Sequence, residues 1–190
     1  MSTISNCRTL CRAALLMLFG GLFLTAQAAG PKAHKYEQRF SGTSVQGNHD
    51  VDGDGNTGGV SDSGGTGTFG ASDSRGINEL APWDGASFCS ATEIRQEYIA
   101  SVSTARFASG DQLASELDSS PPSFLCFDFT TGVFRFEIHQ VFSGGTGRFE
   151  GASGATTITG SGRNLGVDSM GRPLQSIFSG TSVGTVELQH

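Results

Sequence analysis

The chain has 190 residues, with 12 Lys and Arg against 18 Asp and Glu, and a formal net charge of −6. This length leaves no room for a kinase, a TIM barrel or a two-domain dehydrogenase. The acidity argues against nucleic-acid binding, which draws on a basic surface to displace counterions from phosphates.

In chain order, Arg8 and Arg12 precede an apolar run, residues 13–24, that ends in Thr25-Ala26-Gln27-Ala28. A basic start, an apolar stretch of about a dozen residues and an A-x-A site predict a secretory signal peptide over residues 1–28. The run falls short of the roughly 20 residues that span a bilayer. The expected product, residues 29–190, is exported to the periplasm or beyond and carries no membrane span. Without Arg8 and Arg12 it holds 10 basic against 18 acidic residues, a net charge of −8. It keeps two cysteines, Cys89 and Cys126, and an even count in an oxidising compartment predicts a disulfide between them.

Residues 36–45 (YEQRFSGTSV) form the first expected strand. Residues 46–65 hold seven Gly and four Asp with no apolar period, and are expected to be an acidic loop. A short strand restarts within 66–80, residues 81–85 connect, and 87–107 are ambiguous between helix and strand. Dense Ser and Thr in the second half favour strand there. The clearest signal is 124–142, where Phe134, Phe136, Ile138 and Phe142 alternate with Arg135, Glu137 and His139. Period two with polar residues between aromatics describes a half-buried strand of an antiparallel hairpin. Further strands are expected near 155–159 and 174–188. Seven to nine short strands with Gly-rich turns predict an all-β sandwich or barrel, a single domain over 29–190. Twelve Phe remain after the leader, and large rings on short strands can fill one core.

Two internal repeats refine the expectation. FSGTSV occurs at 40–45 and again at 178–183, and GGTGTF-GAS at 64–72 is matched by GGTGRFEGAS at 144–153. Matching end strands fit a closed sheet whose first strand pairs with its last.

The stretch VFSGGTGRFEGASG, residues 141–154, resembles a signature of small β-barrel proteins: plant dirigent proteins, allene oxide cyclases and uncharacterised exported bacterial proteins. ARFASGDQL, residues 105–113, is similar to a strand–turn–strand unit ahead of that signature in the bacterial set. The resemblance implies an antiparallel, closed or nearly closed barrel of about eight strands, with an interior that holds a hydrophobic ligand or a reactive intermediate. It carries over no catalytic residue. Within it, Phe149 is expected to enter the core, with sharp bends at Gly151 and Gly154.

Several constellations bear on chemistry. Asp50, Asp52, Asp54 and Asn56 alternate as oxygen ligands do at the start of an EF-hand-type calcium loop, with Asp62 one residue past the twelfth position. A structural calcium site on these five residues stands against a solvated acidic turn. Gly53–Gly58 and Gly65–Gly70 both satisfy G-x-G-x-x-G, yet neither opens a helix in a βαβ unit. Gly180-Thr181-Ser182-Val183-Gly184 matches G-x-S-x-G without a strand-to-helix turn. The His and Cys spacing does not fit zinc. Arg135, Glu137 and His139 share one face and form an acid–base or ligand-orienting trio if that face points into the barrel. Trp83 and Tyr98 are candidates for pocket or core. The leading expectation is an exported barrel that binds a small apolar ligand. The alternatives are a cyclase- or isomerase-like enzyme and a calcium-stabilised structural or surface protein.

Overall fold

Alternation of apolar and polar residues over long stretches lets strands bury one face, either against a second sheet or by bending into a closed wall. A computed structural model of the chain, which describes residues 30–189 apart from 52, 55, 57 and 168–172, shows that wall. Nine strands follow in order: β1 Lys32–His49, β2 Gly58–Gly67, β3 Gly70–Leu80, β4 Glu93–Phe107, β5 Gln112–Leu117, β6 Phe124–Asp128, β7 Val133–Thr146, β8 Ser153–Val167 and β9 Pro173–Leu188. A single 3-10 turn, Gly147–Phe149, joins β7 to β8. The expected signal peptide and its cleavage point lie outside the described residues.

All pairings are antiparallel and the sheet closes on itself. The order runs β3-β2-β1-β9-β8-β7-β5-β4, and β4 returns to β3. This is a closed eight-stranded barrel with one strand more, because β5 and β6 lie end to end between β4 and β7. β5 pairs with β4 over Val102–Arg106, and β6 with β4 over Glu93–Glu97. First and last strands pair in unbroken register from Lys32↔Leu188 to Val45↔Gln175, as the FSGTSV repeat predicts. In that register Phe40 faces Gly180 and Phe178 faces Gly42, so each copy offers a ring to the other's glycine.

The region 46–65 departs from its reading as a loop. β1 runs on to His49 and β2 begins at Gly58, which leaves residues 50–57 as the connection. β2 lacks an apolar period because its inward positions are Ser and Gly. Its register is set by the backbone ladders to β1 and β3 rather than by side-chain burial. The ambiguous 87–107 is strand from Glu93. A bulge where Glu79 pairs with Ala100 and Leu80 with Tyr98 switches which β4 residues face inward.

One end of the barrel is sealed. Tyr36, Phe107, Leu113, Phe142, Val186 and Leu188 form a floor into which the 3-10 turn inserts Phe149, which is 0% exposed. The second repeat also maps here: Phe69 from the β2–β3 turn packs edge-to-face on Phe149 with centroids 5.2 Å apart. Gly151 and Gly154 take φ of 67° and 119°, so the bends expected after Phe149 are present. The outward face of β1 carries exposed Glu37, Arg39, Ser41 and Thr43. Among the described residues no helix is long and apolar enough to cross a membrane.

Candidate functional site

Above the sealed floor the barrel encloses a cavity of ≈ 1020 Å³. Its lower part is a belt of polar side chains at one level. Gln38 pairs in register with Ser182, and Gln140 with Thr156. Gln140 Nε2 donates to Ser101 Oγ at 2.8 Å, Ser101 donates to Asn78 Oδ1 at 2.7 Å, and Ser115 donates to Gln140 Oε1 at 2.8 Å. Across the barrel, Tyr36 donates to Gln38 Oε1 at 2.7 Å, and Gln38 Nε2 donates to Ser72 Oγ at 2.6 Å. These partners satisfy buried groups that would otherwise cost about 1–3 kcal/mol each. They also leave a ring of hydroxyl and amide groups beneath the empty space.

Above the belt the wall is aromatic. Phe40, Phe134, Phe136 and Phe178 line it, and each faces a glycine of a neighbouring strand: Gly180, Gly162, Gly160 and Gly42. A Cβ on Gly162 would sit 2.5 Å from the Phe134 ring, and one on Gly180 would sit 2.8 Å from the Phe40 ring. Glycine at these positions lets each ring lie along the wall instead of filling the barrel, which keeps the cavity open. Ile94 and Phe127 continue the wall from β4 and β6.

The mouth lies at the end opposite Phe149. Trp83, Phe129 and Leu174 line it and are 40%, 60% and 52% exposed. Trp83 lies 5.7 Å from Phe88 and 6.4 Å from Phe129, centroid to centroid. The β3–β4 connection that carries Trp83 and Phe88 is tied to β6 by the Cys89–Cys126 disulfide, whose Cα atoms are 5.9 Å apart. The pairing expected from cysteine count is therefore present. Trp83 and Tyr98 both line the cavity.

Arg135, Glu137 and His139 do share a face, and it is the outer one, since Phe134, Phe136, Ile138 and Gln140 take the inner positions of β7. His139 Nε2 lies 3.0 Å from Glu137 Oε1 and its Nδ1 lies 3.2 Å from Thr157 Oγ1. Arg135 instead makes two hydrogen bonds to Glu93, at 3.2 and 3.1 Å. The guanidinium holds the Glu93 carboxyl below the usual carboxylate range. The condition attached to this trio, an inward face, is not met.

Of the calcium candidates, Asp50 and Asp54 come together, and Asn56 donates to Asp54 from its backbone at 2.7 Å and its amide at 2.6 Å. Asp62 stands apart on β2, in a two-bond ion pair with Arg75 at 2.7 and 3.0 Å. Asp52 lies outside the described residues. Sequence reasoning missed Glu79, on β3, which is 0% exposed and lies with Asp50 and Asp54. It also missed the belt, because isolated Ser and Gln in strands carry no signature.

The two tyrosines sit in the wall. Burial pushes the Tyr36 phenol up to about 12 and raises that of Tyr98 as well. A raised folded-state pKa means that the neutral phenols stabilise fully below the ordinary value near 10, and that this stabilisation fades as pH climbs through about 12. With two Tyr in the chain, absorbance at 295 nm is expected to show phenolate in urea with a midpoint near 10, and in the folded protein only well above it. A folded-state midpoint near 10 would place both hydroxyls in water.

Comparison with family models, with curated proteins and with solved structures gives no match for this chain.

Proposed function

We propose that this barrel binds a small, mainly apolar molecule in its interior, with any polar end of that molecule turned toward the Gln38–Gln140 belt. The observation that carries the reading is a cavity of ≈ 1020 Å³ with phenylalanine walls, closed at one end and open through exposed aromatic and aliphatic side chains at the other. That volume is at the upper end of the roughly 300–1,000 Å³ of small-molecule pockets, and apolar walls with a few convergent polar groups are their usual make-up. The resemblance read over residues 141–154 points to the same use of a barrel interior. Export through the leader would place the binder outside the cytoplasm.

The lining also weighs against acid–base catalysis. Among the described residues it includes no carboxylate, imidazole or amine, its one guanidinium, that of Arg75, is paired with Asp62, and the two phenols are held neutral at physiological pH. A second reading, a cyclase- or isomerase-like barrel that fixes the conformation of a reactive intermediate, draws on the belt, which can orient a substrate without exchanging protons with it.

Titration with an apolar fluorescent probe such as N-phenyl-1-naphthylamine tests the binding reading. One probe per chain with micromolar affinity is the expected result. Ser74 lines the cavity between Ser63 and Ala105, and Ser74→Trp is expected to weaken the probe at least tenfold with the circular dichroism unchanged. Unaltered affinity in a folded S74W variant, or no saturable binding to the wild type, would sink the reading.

A further inference from the structure

On the outer face of β3, Glu79 occupies a position that should be wet. Inward positions of this strand are even-numbered, with Ser74, Gly76, Asn78 and Leu80 lining the cavity. Glu79 points the other way, yet it is 0% exposed. The chain after β1 covers it at Val51, which donates its backbone N–H to Oε1 of Glu79. The start of β2 passes so close that a Cβ on Gly58 would meet Glu79 Cγ at 2.7 Å. The other carboxylate oxygen, Oε2, is buried and finds no hydrogen-bond donor among the described residues. Carboxylates are almost never fully buried unless paired or bound to a metal, because a lone buried charge is strongly disfavoured.

Two further carboxylates converge on it. One oxygen from each of Asp50, Asp54 and Glu79 lies within 4.8 Å of the others. Three anionic groups gathered this closely repel one another, and the repulsion is strongest at the member shielded from water. A hard divalent cation removes both costs. Around one Ca²⁺ at its usual 2.3–2.6 Å, opposite oxygens stand about 5 Å apart and three equally spaced ones about 4–4.5 Å, so this set is close to the spread one ion spans. The irregular set of an exposed loop and a strand suits its flexible coordination better than the strict octahedron of Mg²⁺.

We infer that Asp50, Asp54 and the buried Glu79 form a calcium site that pins the 50–57 connection to the outer wall of the barrel at its mouth. Glu79 takes the place that the sequence pattern gave to Asp62, which is committed to Arg75. The reason lies in topology. The connection is closed by the pairing of His49 with Gly58, so Asp50 and Asp54 meet Glu79 of β3 instead of the chain that follows them. Asn56, which donates to Asp54, also lines the cavity. The cation therefore fixes one sector of the rim.

Calorimetric titration of the EGTA-stripped and dialysed protein with CaCl₂ tests the site, together with thermal melts in CaCl₂ and in EGTA. The expected result is one ion per chain, with an affinity in the sub-millimolar to millimolar range of extracellular modules. In 10 mM CaCl₂ the Tm should rise by about 5 °C. Glu79→Gln keeps an acceptor for the Val51 N–H and is expected to weaken calcium at least tenfold and erase the Tm rise. Asp54→Asn, on the exposed connection, should do the same, and keeps the test decisive if Glu79→Gln does not fold. Asp62→Asn should bind as the wild type does. Absence of binding heat and of a calcium-specific Tm shift relative to MgCl₂, or wild-type affinity in folded E79Q or D54N, would overturn the inference.

Discussion

Phe149→Ala is expected to cost about 3–5 kcal/mol of folding stability, read as a fall in the urea midpoint at unchanged slope. Phe149 is 0% exposed. Its ring centroid lies 4.9 Å from that of Phe107 and 5.2 Å from that of Phe69. Over it lies the Arg148 guanidinium, 4.9 Å from the ring centroid and 3.3 Å from Asp111. The neighbours cannot collapse into the space it leaves, because strand ladders fix them on every side. Leakage of the sealed end should follow, so the same variant should also admit more of an apolar dye. A folding stability within about 1 kcal/mol of the wild type would mean that the floor closes without this ring.

Loss of the Cys89–Cys126 bridge, by reduction or by paired substitution with Ser, is expected to lower stability by about 4 kcal/mol. On the chain-entropy account, a cross-link between residues 37 apart restricts the unfolded chain by about that much. Domains of this size are commonly stable by roughly 5–15 kcal/mol, so the reduced protein should unfold at much lower urea. The effect should centre on the mouth, where the bridge holds the connection that bears Trp83. Intrinsic fluorescence of that residue, the one Trp in the chain, should shift to the red before the far-ultraviolet signal of the sheet is lost. Coincident transitions at the wild-type midpoint would show the bridge to be ornamental.

The barrel was legible in the sequence wherever a strand buries large rings on one side. The alternation from Phe134 to Phe142 gives β7 directly, and the FSGTSV repeat gives the pairing of β1 with β9. The second repeat marks two turns whose Phe69 and Phe149 meet at one end. β2 escaped because a strand whose inner positions are Ser and Gly carries no hydropathy period. Its neighbours, not its own side chains, define it. For the trio at Arg135, Glu137 and His139, period two reveals that they share a face but not which side of the wall it is. That is decided by the rings between them, which take the interior. Glu79 was invisible for a different reason. Nothing local distinguishes a carboxylate under a neighbouring loop from one in water, and the partner residues lie some 25–29 positions earlier in the chain.

Pairing of β1 with β9 has a consequence for how the molecule reaches its final shape. Of the nine described strands, the one that shuts the cylinder is synthesised last, and its partner is synthesised first. Until Leu188 arrives opposite Lys32, the growing sheet has two bare edges of unpaired amides and carbonyls, each a template for another chain. Zipping them together also brings the most distant contacts in the sequence into register, the slow kind of step in folding. The identical hexapeptides sit on this seam, so an unfinished molecule can accept the corresponding strand of a second copy. A chain cut short before residue 178 is thus expected to pair with its own kind rather than stay single.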